Sequence, residues 1–124
     1  MGRKILAVDD SATVRTSVKL VLERAGYEVE LASDGEEALG KIKSASERFH
    51  LLITDLNMPK LDGIGLIKAV RAQPGYRFTP ILMLTTESQA DKKEEGKKAG
   101  ATGWIVKPFQ PDQLLAVIQR VLRP

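Results

Sequence analysis

The apolar positions of this chain fall into two alternating kinds of segment. Continuous runs at 4–8, 51–54 and 81–84 have the length and bulk of strands buried on both faces, as in a parallel sheet. The segment 28–32, Glu-Val-Glu-Leu-Ala, alternates polar and apolar residues, which suits a strand nearer a sheet edge. Gly103-Trp104-Ile105-Val106 reads as a fifth strand. Between these lie stretches of helical period. Val14, Val18, Val21, Leu22 and Ala25 form an amphipathic stripe, with Ser11 as its N-cap and Gly26 closing it at the C′ position. A turn at Ser33-Asp34-Gly35 precedes a helix through Ala38, Leu39 and Ile42 that fades at Lys43-Ser44. Ile64, Leu66, Ile67 and Val70 mark a third helix, ending before Pro74-Gly75. A last helix has Pro111 in its first turn and a stripe of Leu114, Leu115, Ile118, Val121 and Leu122.

The segment 89–99 departs from this scheme. It reads as helix, with Glu94 and Lys98 spaced for an i,i+4 pair, but offers little apolar beyond Ala90 and Ala99. Such a helix adds little to a core and is expected to be exposed and comparatively mobile. Gly100 stops it. Five strands alternating with five helices specify an α/β fold, a parallel sheet with helices on both faces and right-handed crossovers. A chain of 124 residues suits one domain spanning 1–124.

Composition narrows the class. No apolar run approaches the ~20 residues that span a bilayer. The start, Met1-Gly2-Arg3-Lys4, leads into only a short apolar stretch before Asp9-Asp10, unlike a signal peptide. The absence of cysteine excludes disulfides and thiolate metal sites, and a cytoplasmic setting is the natural reading. The net charge is +3, from 19 basic and 16 acidic residues dispersed over helix faces, so neither nucleic acid nor membrane is expected as a partner.

The chemistry lies at the strand ends. Four strands finish in polar residues: Asp9-Asp10, Asp55, Thr85 and Lys107. Singly, each has an ordinary explanation as a cap, a helix start or a surface lysine. In a parallel sheet, however, all carboxyl ends share one edge, where α/β folds hold their ligands. After Asp55, Met58-Pro59 enforces an extended turn and Asp62-Gly63 closes the loop. Clustered carboxylates repel one another, and a hard divalent cation such as Mg²⁺ relieves that repulsion through oxygen ligands. Asp9, Asp10, Asp55 and the backbone carbonyl of Asn57 are the candidate ligands. Asp55 is then the nucleophile for an aspartyl phosphate, Lys107 balances phosphoryl charge, and Thr85 donates a hydrogen bond to a phosphoryl oxygen.

With these residues in place the sequence resembles a response-regulator receiver domain, most of all the stand-alone, CheY-like chemotaxis type. The resemblance rests on Asp9-Asp10, on Asp55-Leu56-Asn57-Met58-Pro59 with Asp62-Gly63, on Thr85, on Trp104 and on Lys107-Pro108-Phe109. It implies the flavodoxin-like (βα)5 fold with strand order 2-1-3-4-5. It implies Mg²⁺-dependent phosphorylation of Asp55 by a CheA-like histidine kinase and a cis bond between Lys107 and Pro108. It also implies a switch in which Thr85 moves toward the phosphoryl group and Trp104 turns inward, changing affinity for a downstream protein such as a flagellar switch component. Two positions depart from the common pattern: an indole stands where tyrosine or phenylalanine is frequent, and Thr86 where a smaller residue is frequent.

Asn57 and Glu87 flank Asp55 and are placed to orient water for hydrolysis of the acyl phosphate. Lys92, Lys93, Lys97, Lys98, Arg120 and Arg123 make the surface around segment 89–99 and the last helix basic, suited to acidic, amphipathic partner segments. His50, the only histidine, is expected to be exposed and without a catalytic or metal role. Three other readings compete. A Mg²⁺-dependent aspartyl-phosphate phosphatase favours Asp-x-Asp, where this chain has Asn57, and 124 residues leave no substrate cap. A flavin or nucleotide module wants a Gly-rich loop where Asp9-Asp10-Ser11 stands. A DNA-binding regulator needs an effector domain, so output is expected through protein contacts. A phosphorelay step in a pathway other than motility remains compatible with the same residues.

Overall fold

A computed structural model describes residues 3–86 and 90–122, so Glu87, Gln89 and Arg123 lie outside the described residues. The strands are β1 (Lys4–Val8), β2 (Glu28–Ala32), β3 (Leu51–Asp55), β4 (Ile81–Thr85) and β5 (Gly103–Val106). They form one sheet in the order β2-β1-β3-β4-β5, with every neighbouring pair parallel. The helices between and after them are α1 (Ala12–Arg24), α2 (Gly35–Ser44), α3 (Gly63–Arg71), α4 (Ala90–Ala99) and α5 (Pro111–Val121). The expected fold class and strand order are therefore observed. No helix among the described residues is long and apolar enough to cross a membrane.

Strand alternation divides the apolar residues between the two faces of the sheet. Ile5, Ala7, Ile53, Leu82 and Leu84 pack with Val18 and Leu22 of α1 and Leu114 and Ile118 of α5. Leu6, Val8, Leu52 and Met83 pack with Ala38 and Ile42 of α2 and Ile64, Ile67 and Val70 of α3. Every residue of β3 and β4 is buried, whereas β2, an edge strand, is mostly half-buried. The register then sets the rim. Val8 pairs with Thr54, so Asp9 lies one step beyond β1 beside Asp55 at the end of β3. Thr85 pairs with Val106, so Lys107 follows at the same level.

Element boundaries differ from the sequence reading at three places, each at an aspartate. Asp55 belongs to β3 and does not merely follow it, because its backbone still pairs with Leu84. Asp34 caps α2 by accepting from the Glu37 amide at 2.8 Å, so Gly35 is helical and not part of a turn. Asp62 caps α3 by accepting from the Gly65 amide at 2.8 Å, so Gly63 begins that helix. Gly63 is required there: a Cβ would lie 2.3 Å from the Asp55 carbonyl oxygen. The first turn of α3 thus seats directly on the end of β3.

Helix α4 is as polar as expected. Among its residues 91–99, only Gly96 is buried. A Cβ at Gly96 would fall 2.0 Å from Met83 Sδ, so the helix lies on β4 through its backbone. Its ion pair joins Lys92 to Glu95 at 3.3 Å, not Glu94 to Lys98. Past its C-terminus, Arg71 donates through Nε and Nη2 to the Gly100 carbonyl at 3.2 and 2.7 Å. The same guanidinium donates through Nη1 to the Tyr76 and Thr79 carbonyls, tying the end of α4 to the approach to β4.

Candidate functional site

Asp9 is nearly inaccessible to solvent and fixed on several sides. Its Oδ1 accepts from the Ser11 amide at 2.9 Å, and its carbonyl accepts from Arg15 Nη1 at 2.8 Å. Asp55 is also buried, and its Oδ1 accepts from the Leu56 amide at 2.9 Å. Lys107 Nζ bridges the two acids, 3.2 Å from Asp9 Oδ2 and 3.2 Å from Asp55 Oδ1. Asp10 is exposed, yet one carboxylate oxygen from each of Asp9, Asp10 and Asp55 lies within 4.8 Å of the others. Residues separated by 98 and 52 positions thus meet at one rim. The Lys107–Pro108 peptide is cis.

Burial pushes the Asp55 carboxyl above its ordinary value, and the Asp9 charge adds to this, while Lys107 and the Leu56 amide oppose it. Burial alone would lower the Lys107 ammonium, but Asp55 and Asp9 hold it above its usual range. One ammonium faces three carboxylates, so the cluster keeps net negative charge. Its donors are all oxygen, and Asp55 is destabilised as a bare anion. Those features suit a hard divalent cation of the Mg²⁺ kind. Thr85 supplies a further sign of a ligand site: its side chain is fully buried, and among the described residues Oγ1 has no hydrogen-bond partner. An unsatisfied buried hydroxyl costs roughly 1–3 kcal/mol unless a ligand satisfies it.

Asn57 is exposed in the loop two residues beyond Asp55. Trp104 is 42% exposed, with Lys93 Nζ 5.2 Å from its ring centroid. His50 is exposed, and its Nδ1 accepts from the Lys4 amide at 2.8 Å, a local tie between strand starts at the amino-terminal rim. Sequence reasoning missed Arg15 and the Lys93–Trp104 contact. Arg15 stands four residues after Ser11, within reach of the β1 end, but nothing in the hydrophobic pattern distinguishes it from a solvated arginine. A cavity of about 880 Å³ opens at the amino-terminal rim, lined by residues such as Arg48, Arg77 and Phe78. It contains none of the acidic cluster, and its size carries no weight against the convergence of charged groups at the other end.

Comparison with known proteins agrees with this geometry. Residues 5–119 match the model of the response regulator receiver domain. The structure of the chemotaxis response regulator CheY4 of Vibrio cholerae is 56% identical, covers 98% of this chain and 100% of its own, and superposes with a TM-score of 0.92. The receiver domain of sensor histidine kinase PA1611 from Pseudomonas aeruginosa, described with magnesium coordinated in its active site cleft, is 30% identical over the full length of both chains, with a TM-score of 0.90. The chemotaxis protein CheY1 of Helicobacter pylori strain J99 is 42% identical over 96% of both chains. PhoP of Bacillus subtilis, an alkaline phosphatase synthesis transcriptional regulatory protein, is also 42% identical, but this chain spans only 50% of its length. An acidic triad at the carboxyl rim, a lysine bridging two of its members and a buried hydroxyl beside them, on a sheet of this order, place the chain in the response regulator receiver domain family.

Proposed function

We propose that this chain is a cytoplasmic phosphoacceptor that receives a phosphoryl group on Asp55 from a histidine kinase and signals by changing a protein-binding surface, in chemotaxis or motility. The observation that carries it is the Lys107 ammonium set 3.2 Å from both Asp9 and Asp55 within the acidic triad. Asp9, Asp10, Asp55 and the Asn57 carbonyl would hold Mg²⁺. When bound, the ion supplies charge neutralisation for the carboxylates and the phosphoryl oxygens. An Asp55 carboxylate oxygen attacks phosphorus as the bond to the donor nitrogen, or to the acyl oxygen of a small donor, breaks. Lys107 neutralises phosphoryl charge, and the buried Thr85 hydroxyl, without a partner among the described residues, donates to one phosphoryl oxygen. Asn57, and Glu87 by its position in the sequence, would govern hydrolysis of the product. Movement of Thr85 lets Trp104 turn inward, which alters the surface formed by α4, β5 and α5.

The chemotaxis reading is supported by the chemotaxis proteins CheY4 and CheY1, which match this chain over nearly their whole length. The kinase is then of the CheA-like kind, and the target is a downstream protein such as a flagellar switch component. The deciding experiment incubates the protein with acetyl phosphate and measures intact mass. One phosphoryl group is expected with Mg²⁺, none with chelator, and none on Asp55→Asn. Labelling of the Asp55→Asn variant equal to wild type would overturn the assignment.

A further inference from the structure

The indole of Trp104 is 42% exposed and faces outward, and the ammonium of Lys93 lies 5.2 Å from its ring centroid. Tryptophan presents the best side-chain face for a cation. Lys93 has no carboxylate within salt-bridge distance among the described residues, whereas its neighbour Lys92 is engaged with Glu95 at 3.3 Å. The contact also spans two elements that share little else. Between positions 91 and 99, α4 buries only Gly96, over Met83, and Arg71 ties down its far end at Gly100. Lys93 therefore links the amino-terminal half of α4 to β5, and that link exists only while the indole points outward.

We infer that Lys93 is a positioning residue for the switch: its ammonium holds Trp104 in the outward rotamer and so sets how readily the inward state forms. The inference rests on the proposed function, in which inward rotation follows phosphorylation, and it adds the group that opposes that rotation. A cation at position 93 is required, and its particular shape is not, because both ammonium and guanidinium groups bind an aromatic face. A tyrosine or phenylalanine at position 104 would be held more weakly, so the indole and the lysine work as a pair.

The test measures χ1 rotamer populations of Trp104, the only tryptophan, from three-bond couplings in isotope-labelled, unphosphorylated protein. Lys93→Gln is expected to raise the inward-to-outward ratio about two- to fivefold, the range an exposed cation–π contact supports. Lys93→Arg should match wild type, and thermal melts of both should stay close to wild type because Lys93 lies on a half-exposed surface. An unchanged rotamer ratio in Lys93→Gln would overturn the inference, as would Lys93→Arg behaving like Lys93→Gln. Intact-mass labelling of Asp55 with acetyl phosphate and Mg²⁺ is run on the same samples. Failure of labelling counts against the phosphoacceptor reading alone, since the rotamer measurement uses no phosphoryl donor.

Discussion

Helices α4 and α5 flank the same end of the sheet on opposite faces, and they are attached to it in opposite ways. α5 inserts Leu114 and Ile118, both fully buried, into the core shared with α1. Its start is set by Pro111 and by the Gln110 amide, which donates to Gln113 Oε1 at 2.9 Å. α4 inserts no large side chain from positions 91–99 and rests on Met83 through Gly96. Full burial of a leucine or isoleucine is worth roughly 1.5–3 kcal/mol, so two such anchors hold α5 where α4 has none. A rim site can thus be rigidly built while one helix beside it is only weakly anchored. Asp9, Asp55 and Lys107 are held at the rim by the sheet and their mutual contacts, whereas the wall beside them buries only Gly96 among positions 91–99.

The contrast can be broken most directly at its anchored side. Ile118→Ala should destabilise the protein by about 2–5 kcal/mol in denaturant melts, whereas Lys97→Ala on α4 should stay within about 0.5 kcal/mol. Comparable losses from the two would end the distinction. Gly96→Ala comes next. Helix propensity alone favours alanine by about 1 kcal/mol, but overpacking against buried Met83 costs about 1–3 kcal/mol. A net loss of stability is expected, and a net gain would mean that α4 can lift off β4 freely.

The rim between the helices supplies a pH test. The Asp55 carboxyl is raised in the folded protein by burial and by Asp9. For an acid, this means that stability is full below its unfolded value and falls as pH rises through the folded one. Without metal, Asp55→Asn should therefore melt higher than wild type at neutral pH, and the gap should close as pH falls into the ordinary carboxylate range. A gap that widens on acidification would reverse the assigned sign. The smallest expected change is at Lys92→Ala. It breaks an exposed pair with Glu95 and should alter stability by less than about 0.5 kcal/mol.

Much of this was legible in the sequence because the burial pattern is strong. Every residue of β3 and β4 is buried, and both stretches read as continuous apolar runs stopped by a polar residue. Once five such strands are parallel, their carboxyl ends must share a rim, and Asp9, Asp55, Thr85 and Lys107 follow. What stayed hidden depended on distances between elements. Gly96 in a polar helix reads as a weak point, and only the docked structure shows that Met83 demands it. Glu94 and Lys98 have favourable spacing, but the side chain that reaches a partner is Lys92, toward Glu95. Lys93 and Trp104 lie on different elements, so no periodicity connects them. Asp34 and Asp62 were visible as turn residues, but whether each ends a loop or begins a helix depends on which amide its carboxylate accepts.

On the proposed function, phosphorylation of the rigid rim is read out by movement of the loosely attached α4 and of β5, with the anchored α5 a fixed part of the same output surface. Amide hydrogen exchange resolved by segment tests it, comparing wild type with and without acetyl phosphate and Mg²⁺, and with Asp55→Asn under the same conditions. Altered exchange is expected in α4 and around Trp104, with unchanged protection in α5 and the central strands and no response in Asp55→Asn. A response of equal size in α5, or no change in α4 when Asp55 is fully labelled, would contradict it.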